Sequence, residues 1–264
     1  MPSPRLCITT AAAAALSLPA LIVCAQDAPP DPSPEPSGWT ASAELLLWRP
    51  ALQDDVALPG AGVISVEDIN LDDNEFTPMV VATFHSDAWR IELGGFDYSG
   101  SGDGPAARAF EFGEVAVGAG DDFRAEIDYA SAWVHVMRRV WDEDLGHDVS
   151  LKLDAGGGLR VSDIRMKIAS GGASQNEDSL WADLLLVSRL AIGLPENLSF
   201  DIHGELGGGP DSTAWAAGAR LRWQPEPYLG AELGYRFHRS DLDDDDVLFD
   251  GALAGLYLGL SFEF

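Results

Sequence analysis

The closing stretch Leu248-Phe249-Asp250-Gly251-Ala252-Leu253-Ala254-Gly255-Leu256-Tyr257-Leu258-Gly259-Leu260-Ser261-Phe262-Glu263-Phe264 decides how the rest of the chain is read. Ala252, Ala254, Leu256, Leu258, Leu260, Phe262 and Phe264 fall on one side of a period-2 repeat. Gly251, Gly255, Tyr257, Gly259, Ser261 and Glu263 fall on the other, with Phe249 and Leu253 as exceptions. A helix returns to the same face every third or fourth residue, so alternation sustained over roughly ten residues predicts a strand. One side is greasy and the other small or polar. A strand with lipid on one face and a polar interior on the other has this character.

Working outward, the same alternation recurs along the chain. It predicts strands over Trp39–Trp48, Phe76–His85, Trp89–Ser99, Phe123–Val140, Val149–Val161, Leu180–Leu194, Leu198–Leu206, Thr213–Trp223 and Tyr228–His238. The phase slips at Tyr129-Ala130, which predicts a β-bulge there. Asp183 and Arg189 interrupt the apolar run at 180–194 and argue against a membrane helix. Connections alternate in length. Short ones fall at 86–88, 142–148, 195–197 and 225–227; longer ones fall at 50–75, 100–122, 163–179, 207–212 and 239–247. The patch Phe110–Val117 inside one long connection is apolar enough to form a hairpin beyond the bilayer. This rhythm predicts an antiparallel up-and-down transmembrane β-barrel with short turns at one end and longer loops at the other. Both chain ends then share a side, which requires an even strand number. The count is ten, or eight if two weaker strands merge.

Composition agrees. Mean hydropathy is near zero, and no long apolar run exists outside the N-terminus. A helical span needs about 20 apolar residues, whereas a barrel strand is half polar. Residues 1–25 read as a secretory leader: Arg5, then an apolar run from Ala11, then the small-residue site Val23-Cys24-Ala25. Lipid attachment at Cys24 is disfavoured, because Leu21-Ile22-Val23 lacks a small residue before the cysteine. Residues 26–37 form a proline-rich tether. The barrel domain is 38–264. Cys7 and Cys24 both lie in the leader, so the remainder offers no disulfide or thiolate metal site. Losing Arg5 with the leader leaves 15 basic residues against 43 acidic ones, since Lys and Arg total 16. Such an excess repels nucleic acid. The acids crowd the connections, among them Asp54, Asp55, Glu67, Asp68, Asp72 and Asp73.

The terminal Phe264, with Phe262, Leu260 and Leu258 before it and Tyr257 beside them, resembles the closing-strand signal of small bacterial outer-membrane β-barrel proteins. No subfamily motif accompanies it. The resemblance implies export to the bacterial outer membrane of a Gram-negative-type cell, contact with outer-membrane lipid and lipopolysaccharide, and recognition of the last strand by the barrel-assembly machinery. Periodicity alone does not say which face is inside. A soluble lipocalin-like binding barrel, with apolar faces inward, is the competing architecture.

With apolar faces on lipid, the opposite faces line a lumen. Glu44, Arg90, Glu92, Lys152 and Asp154 fall there, as do Arg160, Asp183, Arg189, Asp201 and His203, and then Glu205, Arg220, Arg222, Glu232 and Arg236. The near balance of arginines and carboxylates predicts an internal ion-pair network, because buried charges are tolerable only when paired. A porin-like lining for small solutes is the functional alternative, and a structural or adhesive surface role the other. An enzymatic reading places His238 with Asp241 and Asp243 at an external rim, where an imidazole and a carboxylate could activate water. Ten-stranded outer-membrane proteases resemble that arrangement, but no ordered motif of theirs is matched. A lipid-facing Ser131 and His135 would suit a lipid deacylase. No catalytic residue and no cofactor are assigned. Asp241, Asp243, Asp244, Asp245 and Asp246 offer hard oxygen ligands for Ca²⁺, without the spacing or central glycine of an EF-hand; a solvated acidic loop is the plainer reading.

Overall fold

A computed structural model describes residues 38–53, 55–58, 62–65, 71, 76–243 and 248–264. The leader, the tether, Cys24 and most of the acidic residues of the first long connection lie outside the described residues, as do Asp244, Asp245 and Asp246. Regular structure among the described residues is entirely β. The strands are β1 (Thr40–Gln53), β2 (Asp55–Leu58), β3 (Gly62–Ser65), β4 (Thr77–His85), β5 (Trp89–Pro105), β6 (Phe110–Phe112) and β7 (Val115–Val117). They continue as β8 (Asp122–Gly146), β9 (Val149–Ser170), β10 (Ala173–Leu194), β11 (Leu198–Gly208), β12 (Ser212–Glu226), β13 (Leu229–Asp243) and β14 (Leu248–Glu263).

Ten of these close a barrel in the order β1-β14-β13-β12-β11-β10-β9-β8-β5-β4, and β2–β3 and β6–β7 are separate hairpins. Every neighbouring pair in the ring is antiparallel. Closure is made by β1 on β14, in register from Ser42↔Glu263 to Gln53↔Ala252. Phe264 extends the seam: its N–H donates to the Ala41 carbonyl at 2.8 Å. The closing stretch therefore sits between β13 and β1, where a ring leaves no unpaired edge.

Several boundaries differ from the sequence expectation, all in one direction. The 142–148 turn shrinks to His147-Asp148, both at positive φ (56° and 61°), with Gly146 paired to Val149. That is the backbone sense that two-residue hairpins need. The 163–179 loop likewise becomes strand on both sides of a Gly171-Gly172 turn (φ 59° and 90°), where the absence of a Cβ removes the cost of the left-handed region. No bulge occurs at Tyr129-Ala130. Register slips instead fall between Arg139 and Trp141 and between Asp144 and Gly146.

The apparent slip at Tyr129 has a different physical origin, visible in which face water touches. Through the lower part of the barrel the outer face is apolar. Leu184 (73% exposed), Leu186 (71%), Leu206, Leu256 and Leu258 all project outward, and the inner face carries charges. This is the reverse of a lipocalin-like barrel and defines a lipid-facing band. Trp39, Trp89, Trp141, Trp223 and Tyr228 stand exposed near the short-turn end, and Trp215 and Tyr235 are exposed further up. Those positions suit interfacial aromatics. Trp133 on β8, by contrast, points inward and is buried.

Above Ala130 the polarity inverts. The outward residues become Arg124, Glu126 and Asp128 on β8 and Asp163, Arg165 and Lys167 on β9, while Phe123, Ala125, Ile127, Tyr129, Ile164, Met166 and Ile168 are buried. The strand phase is unbroken; the solvent outside changes from lipid to water. Phe249 and Leu253 fit the same rule, for they point into this upper apolar interior. The segments 97–105 of β5, 122–131 of β8, 162–170 of β9 and 173–183 of β10 thus form a four-stranded sheet rising beyond the membrane.

Candidate functional site

Six of the lower strands and β8 send charged side chains to one place. Glu44 (β1) accepts hydrogen bonds from Arg220 at 2.8 Å and from Arg222. Glu232 (β13) faces the same two guanidinium groups, at 3.3 Å and 2.7 Å. Arg220 also donates from Nε to Asp201 at 2.8 Å. Asp201 bonds Arg189, which reaches Asp154 at 3.3 Å. Asp154 accepts from Arg139 at 2.5 Å, and Arg139 reaches Asp142 at 2.9 Å. A continuous chain of alternating charge therefore crosses the barrel from β12 to β8.

A second group lies beside it. Glu205 is bonded by Arg160 and by Arg236, the latter at 3.3 Å. Glu92 lies 3.5 Å from Arg90 and 3.6 Å from His135 Nδ1. Each of the six carboxylates at Glu44, Glu92, Asp154, Asp201, Glu205 and Glu232 is bridged by at least two cationic or imidazole partners. That is the condition under which desolvated charges are tolerated. Most arise from an i, i+2 pattern that puts successive charges on the inner face.

Three of the expected lumen residues are placed differently. Asp183 is fully buried and accepts a 2.5 Å hydrogen bond from Ser212, apart from the arginine chain. Lys152 lies on the inner face near the short-turn end, outside the ion-pair chain. His203 lies against Gly218, where a Cβ would fall 2.2 Å from its ring. Arg139, by contrast, belongs to the network, though the sequence reading passed over it. It shares the inward parity of Trp133, His135 and Met137 and stands opposite Asp154, just before the register slip at Arg139/Trp141.

Above the charges sits an aromatic and hydroxyl layer. Arg236 lies over the Trp133 ring at 4.6 Å, a cation–π contact. Trp48 packs edge-on against Phe96 at 5.1 Å, and Phe96 packs against Tyr129. The Tyr129 hydroxyl is 2.7 Å from His238 Nε2 and 3.0 Å from Ser240 Oγ. This removes the rim arrangement expected for His238. Its imidazole is buried in the lumen, whereas Asp241 and Asp243 are exposed. Ser131 and His135 also face inward and are buried, so neither is available at a lipid-facing surface. Among the described residues no group of His, Cys, Asp or Glu is arranged to hold a metal ion.

The top is sealed. The β6–β7 hairpin, Phe110–Phe112 and Val115–Val117, buries both phenylalanines and both valines in the upper apolar cluster. Phe110 meets Phe123 edge-on at 5.7 Å. Among the described residues, two small spaces lie between these layers. One, about 40 Å³, is bordered by Glu92, His135, Glu205, Arg220 and Tyr257; the other, about 10 Å³, lies beside Tyr129 and His238. Spaces of that size and polarity accommodate a few waters at most.

No family model matches the sequence, and no curated protein matches it. Solved structures do match in fold. Ail, the attachment invasion locus protein of Yersinia pestis, aligns at 16% identity over 86% of this chain and 99% of its own, with a TM-score of 0.36. The outer-membrane protease OmpT from Escherichia coli aligns at 10% identity over 87% of this chain and 98% of its own, TM-score 0.46. Neisserial surface protein A aligns at 14% identity over 86% and 98%, TM-score 0.32. These are small bacterial outer-membrane β-barrel proteins, the class that the closing strand resembles. The likeness is one of fold, and none of their activities transfers with it.

Proposed function

We propose that this protein is a closed barrel of the bacterial outer membrane that holds a rigid sheet above the membrane surface, a structural or surface-display role rather than a conducting one. The observation that carries this reading is the filled lumen. Trp48, Arg160, Tyr98, Tyr129, Met79 and Met137, at successive depths, are each no more than 2% exposed, and the hairpin closes the upper mouth. A porin-like path would need a continuous wetted track, and the spaces of about 40 Å³ and 10 Å³ described above are too small to form one. Export by a cleaved leader and insertion through the last strand fit the same reading.

The test is electrical. The full chain, refolded into planar bilayers of known lipid composition, is expected to give a flat current at 100 mV of either sign. Stable, reproducible conductance steps from protein that also shows the mobility difference between unboiled and boiled gel samples would overturn the closed-lumen reading.

A further inference from the structure

The four-stranded sheet that rises above the lipid band ends in an edge. β10 pairs with β9 along its whole length, from Ala173↔Ser170 to Gly193↔Ser150. It pairs with β11 only from Leu184↔Gly208 downward. β11 turns away at Gly209-Pro210-Asp211, and the Gly209 N–H bonds back to the Ser212 carbonyl at 3.0 Å. Residues 174–181 of β10 therefore lack the neighbour that the rest of the strand has, while Gly209 still lies against the Ala182 carbonyl.

The direction of the peptide groups follows from the turn. Ser170 and Ala173 flank a two-residue turn, so they form a hydrogen-bonded closing pair. From there Gln175, Glu177 and Ser179 direct their N–H and C=O groups to β9, and Ser174, Asn176, Asp178 and Leu180 direct theirs away from it. The same parity holds further down. There the Leu184 carbonyl faces β11, so close that a Cβ on Gly207 would lie 1.9 Å from it. No backbone partner for these four outward-directed residues occurs among the described residues. On the other side of the sheet, β5 also runs past β4, and residues 72–75, which precede β4 in the chain, lie outside the described residues. The β10 edge is the one the structure defines.

Most exposed edges are blunted, and the way this one is blunted indicates what it would accept. Its centre is Glu177-Asp178. A second copy pairing antiparallel about that point would set these carboxylates against their own counterparts, which disfavours self-association. Asp178 stands opposite Arg165 in register, yet Arg165 pairs with Asp163 at 2.9 Å. Asp178 makes no ion pair among the described residues. Asp211 borders the lower end of the edge. The edge repels copies of itself and attracts positive charge.

We infer that the edge of β10 from Ser174 to Leu180 is a docking track for an extended, cationic segment of another protein, which adds a strand in the place that β11 vacates. The ladder supplies sequence-independent affinity, and alternate side chains supply selectivity. Side chains directly opposite each other share a face. An incoming strand therefore favours Lys or Arg at two adjacent positions, one beside Asp178 on the outer face and one beside Glu177 on the inner. This rests on the reading that the β6–β7 end faces outside the cell.

The probe is a fluorescein-labelled acetyl-Thr-Val-Lys-Arg-Val-Thr amide, titrated with detergent-folded full-length protein and read by anisotropy at physiological salt. Saturable binding is expected. N-methylation of the peptide at alternate residues, on the register that removes ladder donors, should weaken binding about fivefold per bond lost. Asp178→Asn should weaken it up to about fivefold. Asn176→Pro blocks an edge N–H that the β9 ladder does not use and should abolish binding while the gel mobility shift persists. If Asn176→Pro fails to fold, Asp178→Asn and the N-methylated peptide still decide. Absence of binding, or binding indifferent to N-methylation, overturns the proposal. The two readings fail separately: a conducting barrel that still binds the peptide sinks only the closed lumen, and a non-conducting one that does not bind sinks only the docking track.

Discussion

Replacing Leu186 with arginine tests which face of the barrel meets lipid. On β10 the outward residues below the sheet that rises beyond the membrane run Leu184, Leu186, Ser188, Leu190 and Ile192. Eight strand steps at about 3.3 Å, tilted by about 40°, span about 20 Å of height, most of the apolar band that a barrel presents to a bilayer. Leu186 lies within about 5 Å of the middle of that run and is 71% exposed in the protein alone. An arginine at the bilayer midplane of such a barrel costs about 2–4 kcal/mol, falling toward zero at the interfaces. On a protein surrounded by water, the same exposed replacement would change stability by less than about 0.5 kcal/mol. Ser174→Arg, on the same strand and face but above the lipid band, is the matched control. Folding into phospholipid vesicles is titrated with urea and read from the fraction that migrates as the compact form in unboiled samples. The expected result is a loss of about 2–4 kcal/mol for Leu186→Arg with little change for Ser174→Arg. Equal and small effects for the two variants would refute the lipid-facing assignment and turn every face of the lower barrel around.

Three other outcomes follow from the interior and from the sheet above the membrane. Arg220→Met takes one of two guanidinium partners from each of Glu44, Glu232 and Asp201. It should cost about 3–5 kcal/mol in the same titration, with partial recovery when Glu44→Gln removes the surplus carboxylate; a loss under about 1 kcal/mol would mean that water rescues the network. Replacing Phe110–Val117 with a Gly-Ser linker should uncover the apolar ceiling formed by Phe123, Ile164 and Ile168 and raise binding of a hydrophobic dye, yet leave the bilayer current flat because the charged layer still fills the lumen. Above the membrane, Lys167 at 3.3 Å, with Arg124 at 2.9 Å, holds the Glu126 carboxyl below the usual glutamate value. Its contribution is present above the unfolded-state value and is lost as pH falls through the lower, folded one. Carboxyl-carbon NMR should therefore give a midpoint below the ordinary glutamate value that rises in Lys167→Met, with little change in stability because the pair is exposed.

The alternation of residues along Leu256–Phe264, and along the nine stretches like it, was enough to specify strands, antiparallel order and the even count that brings both ends together. The inner-face charges could also be named, since period 2 assigns a face without knowledge of neighbours. Three things lay beyond it. The first is the inversion above Ala130. A strand carries no mark of where lipid gives way to water, so the apolar residues that cross from outer to inner face at Tyr129 imitate a bulge. The second is the extent of β8, β9 and β10. Polar residues such as Asn176-Glu177-Asp178 look like loop when read alone, but they are strand because β9 pairs with them across a two-glycine turn. The third is partnership. Glu44 and Arg220 stand 176 residues apart, and His238 meets Tyr129 across 109. The sequence by itself determined that the chain makes a barrel with charges on one face of its strands. Closure of the ring decided which charge meets which, that the lumen is filled, and that one edge of β10 is left without a neighbour, because those facts depend on strand register and shear around the ring rather than on any local pattern.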